Sequence, residues 1–392
     1  MLTEGAAFLY AGGVLVAVAA AADALRRVDL ASGPPYDGRS ALYLAGVAVA
    51  FTLYVAGLAA VRRSAVRIGA VCAAAVAIQL APLAGPLFFS HDVYSYWAYG
   101  RIEAVHDADP YAVAPSAFPH DAATRVVALG WRHERSVYGP AFTLLSAGLA
   151  RVTGPSPSAA ELAYRALAAA AVLALVALAA VRAGAFAAAF VGWNPLLALQ
   201  FAGGGHNDAL MMVLVLTALA LAVHRPRAGG AAWAAAIALK WIPLALLPLY
   251  LLADRRNRRA VAGTALAAAG AFALLAFALF GSRWLSAFGP LAHQAHTETS
   301  MSIGRKLGLS PNAAMVVGAA ILAGGYAWLL RSAWRGRARI ALAAGLLVLT
   351  TPWLLPWYAV WTVPLAAVEE DWTARLLALA LCAYLLPGRL PL

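Results

Sequence analysis

The sequence is poor in charged residues and in cysteine, and both shortages limit what the chain can be. Only 12% of its 392 residues are charged, while 63% are hydrophobic. Soluble domains carry about 25% charged residues, so this composition cannot cover a water-exposed surface, and a soluble globular protein is excluded. The two cysteines, Cys72 and Cys382, each lie in an apolar run. They can form neither a disulfide framework nor a cysteine metal site.

The first residues also lack the basic region with which a signal peptide begins. Residues 1–8 contain Glu4 and no lysine or arginine. We therefore expect the apolar run at 6–24 to remain in the protein as a first membrane span, because crossing the hydrocarbon core takes about 20 apolar residues.

Apolar runs dominate the rest of the chain. After the first, they lie at 40–61, 68–86, 159–181, 184–201, 208–224, 230–252, 260–281, 312–330, 338–351, 354–368 and 374–388. Frequent alanine and glycine allow such helices to pack closely in lipid. The prediction is an all-α polytopic membrane protein, with about 12 to 13 membrane helices in a single transmembrane domain over 1–392.

The net charge of +12 comes largely from short arginine clusters between the apolar runs. This is the pattern of cytoplasmic loops, so the expected partner is the lipid bilayer and no nucleic acid is expected. Arg62, Arg63 and Arg67 then place their loop and the N-terminus in the cytoplasm of a multi-pass plasma-membrane protein. Two external loops are predicted: 87–158, with juxtamembrane helices, and 282–311.

Two predicted elements are too short or too interrupted for a simple span. Residues 141–153 are expected to form a short re-entrant or interfacial helix. The run at 230–252 contains Lys240 at its middle, followed by Trp241 and Pro243. Two short helices meeting at Lys240 would keep the next arginine cluster in the cytoplasm; a tilted single helix with a snorkelling lysine is the alternative.

The first external loop contains SHDVYSYWAYGRIEAVHDADPY at 90–111. On a helix that begins near His91, the side chains of Asp92, Tyr96, Tyr99 and Glu103 share one face, and such a helix fits the outer membrane interface. In one interpretation Asp92 is only a helix cap and the aromatic residues form a membrane belt. In the other, Asp92 is a catalytic base held just above the bilayer.

Two further blocks carry polar groups. His206, Asn207 and Asp208 follow three glycines at the external start of a membrane helix. Capping needs one such residue rather than three in sequence, although capping remains the alternative. Tyr138 precedes a Gly-Pro turn that is equally compatible with a purely structural role.

Cations on the external side are candidates for binding phosphate, and solvated surface charge is the alternative for each. They are Lys240, Arg101, Arg305 and Lys306. Lys240 stands out because its neighbours are apolar. His293 and His296 make a poor zinc motif, since no HExxH pattern is present.

Together, these blocks occur in an order that resembles one family. HDVYSYWAYGRI is followed by DADPY, VYGP, NPL with GGGHNDALM, and LKWIPLALLPL before a basic turn. Over most of residues 85–260, the chain resembles GT-C-fold, polyprenyl-phosphate-mannose-dependent mannosyltransferases, most closely the bacterial alpha-1,6-mannosyltransferases. Beyond 260 the likeness is only architectural.

The resemblance implies a GT-C-like helix bundle with its active site on the external face. The family's essential aspartate falls on Asp92, and its second acidic position on Asp208. Substrate-binding residues are then expected in the blocks quoted above: His91, Tyr94, Tyr96, Tyr138, His206, Asn207 and Asp208. The implied donor is a polyprenyl-phosphate-linked sugar, most readily mannose, and the acceptor a glycan or glycolipid of the cell envelope. No cofactor is implied.

The chemistry is consistent with these residues. A lipid phosphate is a good leaving group that needs a fixed cation and no general acid. An acceptor hydroxyl needs a carboxylate such as Asp92 to take its proton, and a single base implies inversion at the sugar.

A secondary transporter is the alternative class, because broken helices and intramembrane charges also mark transporters. Its paired broken helices would lie in both halves, whereas the interruptions here lie mainly between 138 and 252. A purely structural membrane protein would leave the two long polar loops unexplained.

Overall fold

The computed structural model describes residues 4–25, 38–88, 90–289 and 297–388. Within these ranges every regular element is a helix, and none is a strand. The predicted all-helical architecture is therefore confirmed.

The α-helices follow one another along the chain in this order. They are α1 (Glu4–Leu25), α2 (Gly38–Arg63), α3 (Ile68–Leu80), α4 (Asp92–Ala104), α5 (Ala122–Val126), α6 (Pro140–Thr153), α7 (Pro157–Gly192), α8 (Pro195–Leu197), α9 (Asp208–His224), α10 (Pro226–Leu239), α11 (Pro243–Ala253), α12 (Arg258–Phe280), α13 (Ile303–Lys306), α14 (Pro311–Trp334), α15 (Ile340–Thr350), α16 (Val363–Val368) and α17 (Trp372–Leu385). A π-helical turn occupies Ala198–Ala202, and a 3-10 helix occupies Pro356–Trp361.

Several helices are long and apolar enough to cross a membrane. Among the described residues there are five: Glu4–Ala24, Ser40–Arg63, Pro157–Gly192, Arg258–Phe288 and Pro311–Trp334. Shorter apolar helices accompany them at Ile68–Ala84, Asp208–His224, Pro243–Ala253, Ile340–Thr350 and Trp372–Leu385. The chain is thus a helical membrane protein, while the number of about 12 to 13 crossing helices stays a prediction.

Two of the predicted interruptions are present. Gly184, the first residue of the run at 184–201, has φ 78° and kinks α7. Lys240 is extended, with φ −157° and ψ 144°, and separates α10 from α11. A reversal of the chain at Lys240 stays a prediction.

The run at 354–368 differs from the continuous membrane helix that its hydropathy predicted. It consists of the 3-10 helix Pro356–Trp361 followed by α16. Pro356 begins the 3-10 helix, and Pro364 lies inside the run, where it cannot donate a backbone hydrogen bond, so a continuous helix would lack a ladder bond at Pro364. Its short helices bury Trp357 and Trp361 instead.

Contacts within the chain define two compact units. The first consists of Met1–Ser90, Arg165–Val213 and Leu355–Leu392. In it α1 packs along α2, and a side chain added at Gly46 would lie 3.3 Å from the Ala21 Cβ. Small residues thus bring these two helices close together.

The second unit consists of His91–Tyr164 and Leu214–Leu354. In it α4 packs against α6, and α10 against α12. A Cβ added at Gly100 would lie only 2.2 Å from the Ser146 carbonyl oxygen, so α4 and α6 touch through their backbones. Trp97 and Tyr99 of α4 are both buried within the protein.

Candidate active site

Asp92 is the first residue of α4, and the residue at the capping position is His91. No side chain at that position accepts a capping hydrogen bond. Asp92 therefore lies in the first turn of α4 rather than at the capping position itself. His91 is exposed and Asp92 half-buried; the His91 and Tyr94 rings are 5.8 Å apart.

Aromatic rings enclose the next turn of α4. Tyr96 is buried, and its ring meets those of Tyr138, Phe142 and Tyr164 edge-on at centroid distances of 4.9, 5.0 and 5.5 Å. Edge-to-face geometry is the favourable arrangement for such rings. The Tyr94 hydroxyl donates to a Glu161 carboxylate oxygen at 2.9 Å. Of the predicted residues, Tyr96 and Tyr138 are thus in direct contact.

The turn after Tyr138 lies against the end of α10. A Cβ at Gly139 would lie 2.1 Å from the Ala238 carbonyl oxygen, so only glycine fits there without displacing backbone. Ala238 stands two residues before the half-buried Lys240. The structure therefore brings the segments that carry Tyr138 and Lys240 together.

An apolar cavity of about 260 Å³ lies beside this contact. Its walls come from α6, α10, the break between α10 and α11, α12 and the turn after α12: Pro140, Ala141, Leu144, Ala234, Ile237, Ala238, Trp241, Ala269, Phe272, Ala273, Leu275, Ala276, Leu279 and Trp284. Ala238 and Trp241 flank Lys240 in the sequence. A cationic residue thus interrupts a segment that is otherwise part of an apolar wall.

The other three predicted phosphate ligands are placed differently. The Arg101 guanidinium donates to both Asp121 carboxylate oxygens and, through Nη1, to the Gly154 carbonyl oxygen at 2.8 Å. Arg305 and Lys306 are exposed on the four-residue helix α13. An Asp121 carboxylate thus already balances the Arg101 charge.

Asp121 also accepts a hydrogen bond from the Ala123 backbone N–H at 2.8 Å, and His106 Nε2 lies 2.8 Å from its Oδ2. Burial by itself raises the pKa of this carboxyl. The hydrogen bonds from Arg101, Ala123 and His106, with the Arg101 charge, outweigh burial and lower the pKa of Asp121 from 3.8 to about 2. Asp121 is therefore ionised, and its ion pair with Arg101 holds the loop after α4 against that helix.

In the first unit, His206, Asn207 and Asp208 are 0, 3 and 1% exposed. The π-helical turn Ala198–Ala202 precedes them, and such turns are frequent at functional sites. Neither amide atom of Asn207 has a hydrogen-bond partner within the described part of the chain, so Asn207 does not cap α9 with its side chain. The predicted triplet is a buried polar cluster rather than a set of exposed caps.

Two indoles that the sequence interpretation missed contact this triplet. The Trp357 ring stacks on His206 at 3.5 Å between centroids, and Trp361 Nε1 donates to Asp208 Oδ1 at 2.6 Å. Both indoles lie in the apolar run at 354–368, and nothing in its spacing indicates what it would contact. Gln200 was missed as well: it is 1% exposed, and its amide has no hydrogen-bond partner among the residues described.

A metal centre was judged improbable from the sequence. Within the described ranges, no three His, Cys, Asp or Glu side chains are grouped as metal ligands would be. His293 and His296 lie outside the described residues.

These features define a class of protein: a helical membrane protein with polar clusters buried among its apolar helices. Residues 3–255 match the family model described as alpha-(1->6)-mannopyranosyltransferase, N-terminal domain, and the chain belongs to that family. The resemblance of the sequence blocks is thereby confirmed.

Curated relatives agree with this assignment. A probable alpha-(1->6)-mannopyranosyltransferase of Mycolicibacterium smegmatis is 29% identical over 75% of this chain and 63% of its own length. Alpha-(1->6)-mannopyranosyltransferase B of Corynebacterium glutamicum is 28% identical over 75% of this chain and 57% of its own length. Alpha-(1->6)-mannopyranosyltransferase A of Mycobacterium tuberculosis is 34% identical over 52% of this chain and 42% of its own length. The chain thus spans less than two thirds of each of these relatives, and no solved structure matches it.

Proposed function

We propose that this protein transfers mannose from a polyprenyl-phosphate donor to a hydroxyl group of a glycan or glycolipid acceptor, with inversion at the sugar. One observation carries the proposal: the Tyr138 turn, the Lys240 break and an apolar cavity adjoin one another, and Tyr96 ties the helix of Asp92 to that turn. The family membership supports the mannosyl group.

The apolar cavity is the proposed place of the lipid chain nearest the phosphate. Its lining is almost wholly aliphatic and aromatic, and burying isoprenoid carbon there is favourable for the same reason that burying any apolar surface is. Lys240 would then bind the phosphate. A fixed cation stabilises the negative charge that develops on the lipid phosphate as the bond to the sugar breaks.

Asp92 is the proposed general base. As the acceptor oxygen bonds to the sugar carbon, its proton passes to the Asp92 carboxylate, while the electron pair of the old bond leaves with the lipid phosphate. Attack from the face opposite the phosphate inverts the configuration. His91, Tyr94, Tyr96, Tyr138, His206, Asn207 and Asp208 are proposed to bind substrate, with Arg305, Lys306 and Arg101 as the secondary candidates for phosphate binding. We further propose a plasma-membrane location with a cytoplasmic N-terminus and the site on the external face.

The direct test uses purified protein in liposomes with a synthetic polyprenyl-phospho-[14C]mannose and a short α-mannoside acceptor. A radiolabelled, extended mannoside is expected, and it should also form with EDTA present, because the proposed chemistry assigns the leaving charge to Lys240. Product formed only from GDP-mannose would contradict the donor. Movement of the labelled lipid or sugar across the bilayer without a covalent product would instead support the transporter alternative.

A further inference from the structure

Both indoles that contact the His206–Asp208 triplet come from one short element, the 3-10 helix Pro356–Trp361. Trp357 lies parallel to the His206 ring, with 14° between the planes, and Trp361 donates its N–H to Asp208. All four side chains are at most 4% exposed. This element lies a hundred residues beyond the last residue that matches the family model, residue 255.

The two contacts act on different properties of the triplet. A buried carboxylate is costly unless donors stabilise it, and a hydrogen bond to an ionised group is stronger than one between neutral groups. Indole N–H is a donor only, so the bond holds Asp208 Oδ1 as an acceptor in one orientation. Asp208 also stands at the first turn of α9, where the helix dipole favours a negative charge. The stack on Trp357 fixes the plane of the His206 ring.

The side chain between His206 and Asp208 has no hydrogen-bonding role within the described part of the fold. Asn207 stands between His206 and Asp208, and its amide makes no hydrogen bond with any residue that the structure describes. Buried amides normally have partners, so one without a partner needs an explanation such as a ligand. Amide, carboxylate and imidazole groups are all suited to bind sugar hydroxyls.

We propose that Trp357 and Trp361 are positioning residues that orient His206 and Asp208 for binding the hydroxyl groups of a substrate sugar. This inference rests on the proposed function and extends the site to a segment that the family match does not reach. It separates the roles within the triplet: Asn207 contacts the sugar directly, and the indoles act only through the residues on either side of it.

The test is a kinetic comparison of wild type with Trp361→Phe, using the polyprenyl-phospho-[14C]mannose donor and α-mannoside acceptor described above. Phenylalanine keeps an aromatic ring but removes the N–H that Asp208 accepts. We expect kcat/KM to fall about 10- to 100-fold, the scale for a lost hydrogen bond to a buried charged group. The fall in kcat/KM should come from a raised KM for one substrate. A smaller fraction of folded protein would instead lower the apparent kcat and leave KM unchanged. Trp372→Phe, at an exposed position of α17, is the matched control and should stay within about twofold of wild type.

A double-mutant cycle decides whether Trp361 acts through Asp208. In an Asp208→Ala background, adding Trp361→Phe should change kcat/KM by less than about threefold, because the acceptor of the N–H is already absent. Equal losses in both backgrounds would overturn the inference, and so would a Trp361→Phe protein with wild-type kinetics.

Two outcomes remain to be separated. If Trp361→Phe does not fold, as judged by its thermal transition, Trp361→Met replaces it; methionine fills irregular apolar space and has no N–H to donate, and wild-type kinetics in that variant would overturn the inference. If wild type itself forms no product from this donor, the proposed function fails, and that result is distinct from failure of the positioning role.

Discussion

At the scale of single residues, a substitution of Asp92 distinguishes a catalytic role from helix capping. Asp92→Asn keeps the shape of the side chain and removes its basicity. We expect mannosyl transfer to fall by about 100-fold or more, with donor binding retained, because the base contacts the acceptor. The measurements are initial rates and binding of the labelled donor. Glu103→Gln, on the same helix, is the control and should behave as wild type, since Glu103 makes only a 3.5 Å contact with the exposed Arg151.

A fully active Asp92→Asn protein would contradict the assignment, and Asp208 would become the candidate base.

The role of Lys240 in binding phosphate is tested by comparison with the two exposed candidates, Arg305 and Lys306. Lys240→Gln should lower kcat by about 100-fold, since it removes the cation proposed to stabilise the leaving phosphate. Arg305→Gln and Lys306→Gln should have little effect, because both side chains are exposed on α13. The measurement is kcat for each variant at saturating donor. Loss confined to Arg305→Gln or Lys306→Gln would move the phosphate site to α13.

Asp121 yields a prediction about stability and pH. Its pKa is lowered to about 2, and its side chain is 5% exposed. Because the pKa in the folded protein lies below that of the unfolded chain, the ion pair stabilises the fold above about pH 4, and this contribution is lost as the pH falls toward 2. The shift corresponds to roughly 2 kcal/mol. Asp121→Asn should therefore lower the Tm of the solubilised protein at pH 7, and the difference from wild type should shrink between about pH 5 and pH 3.

A Tm difference that stays constant over that pH range would show that the carboxylate charge contributes nothing to the fold.

At the scale of elements, the contact of α6 with α10 depends on a missing side chain. Gly139→Ala would place a methyl group 2.1 Å from the Ala238 carbonyl oxygen. The two backbones must separate, so the Tyr138 turn should move away from Lys240; we expect transfer to fall more than about 10-fold and the Tm to drop. Rates and thermal transitions check this. Gly148→Ala on the same helix α6 meets nothing within 4 Å and should retain activity, with equal or higher stability.

Equal behaviour of the Gly139→Ala and Gly148→Ala proteins would show that this backbone contact does not position the site.

The elements themselves were largely predictable where local rules decide. The start of α4 at Asp92, the short helix α6 and the break at Lys240 all follow from glycine, proline and polar residues within or beside apolar runs. The segment after Leu355 was not predictable in the same way. Its hydropathy predicts a membrane span, and only the two prolines and the burial of its indoles distinguish this segment from a continuous membrane helix.

At the scale of the whole molecule, the predicted orientation can be measured by cysteine labelling. After replacement of Cys72 and Cys382 by serine, Ala104→Cys should react with an impermeant maleimide added to intact cells, and Asn257→Cys only after the cytoplasmic side is opened. The reason is the arginine bias, which places the turn after α11 in the cytoplasm. Labelling of position 257 from outside would contradict a chain reversal at Lys240.

The sequence and the tertiary structure therefore determined different properties of this protein. Composition alone determined that lipid is the main solvent, because so few charges cannot cover a surface in water, and the ordered blocks around Asp92 and Asp208 indicated the family. Only the tertiary structure decided the partners of those residues: Arg101 pairs with Asp121, Gly139 touches Ala238, and Trp361 reaches Asp208 across more than 150 residues of sequence. Such contacts join residues far apart in the chain, and no local periodicity or spacing encodes which distant side chain fills the space beside a buried polar group.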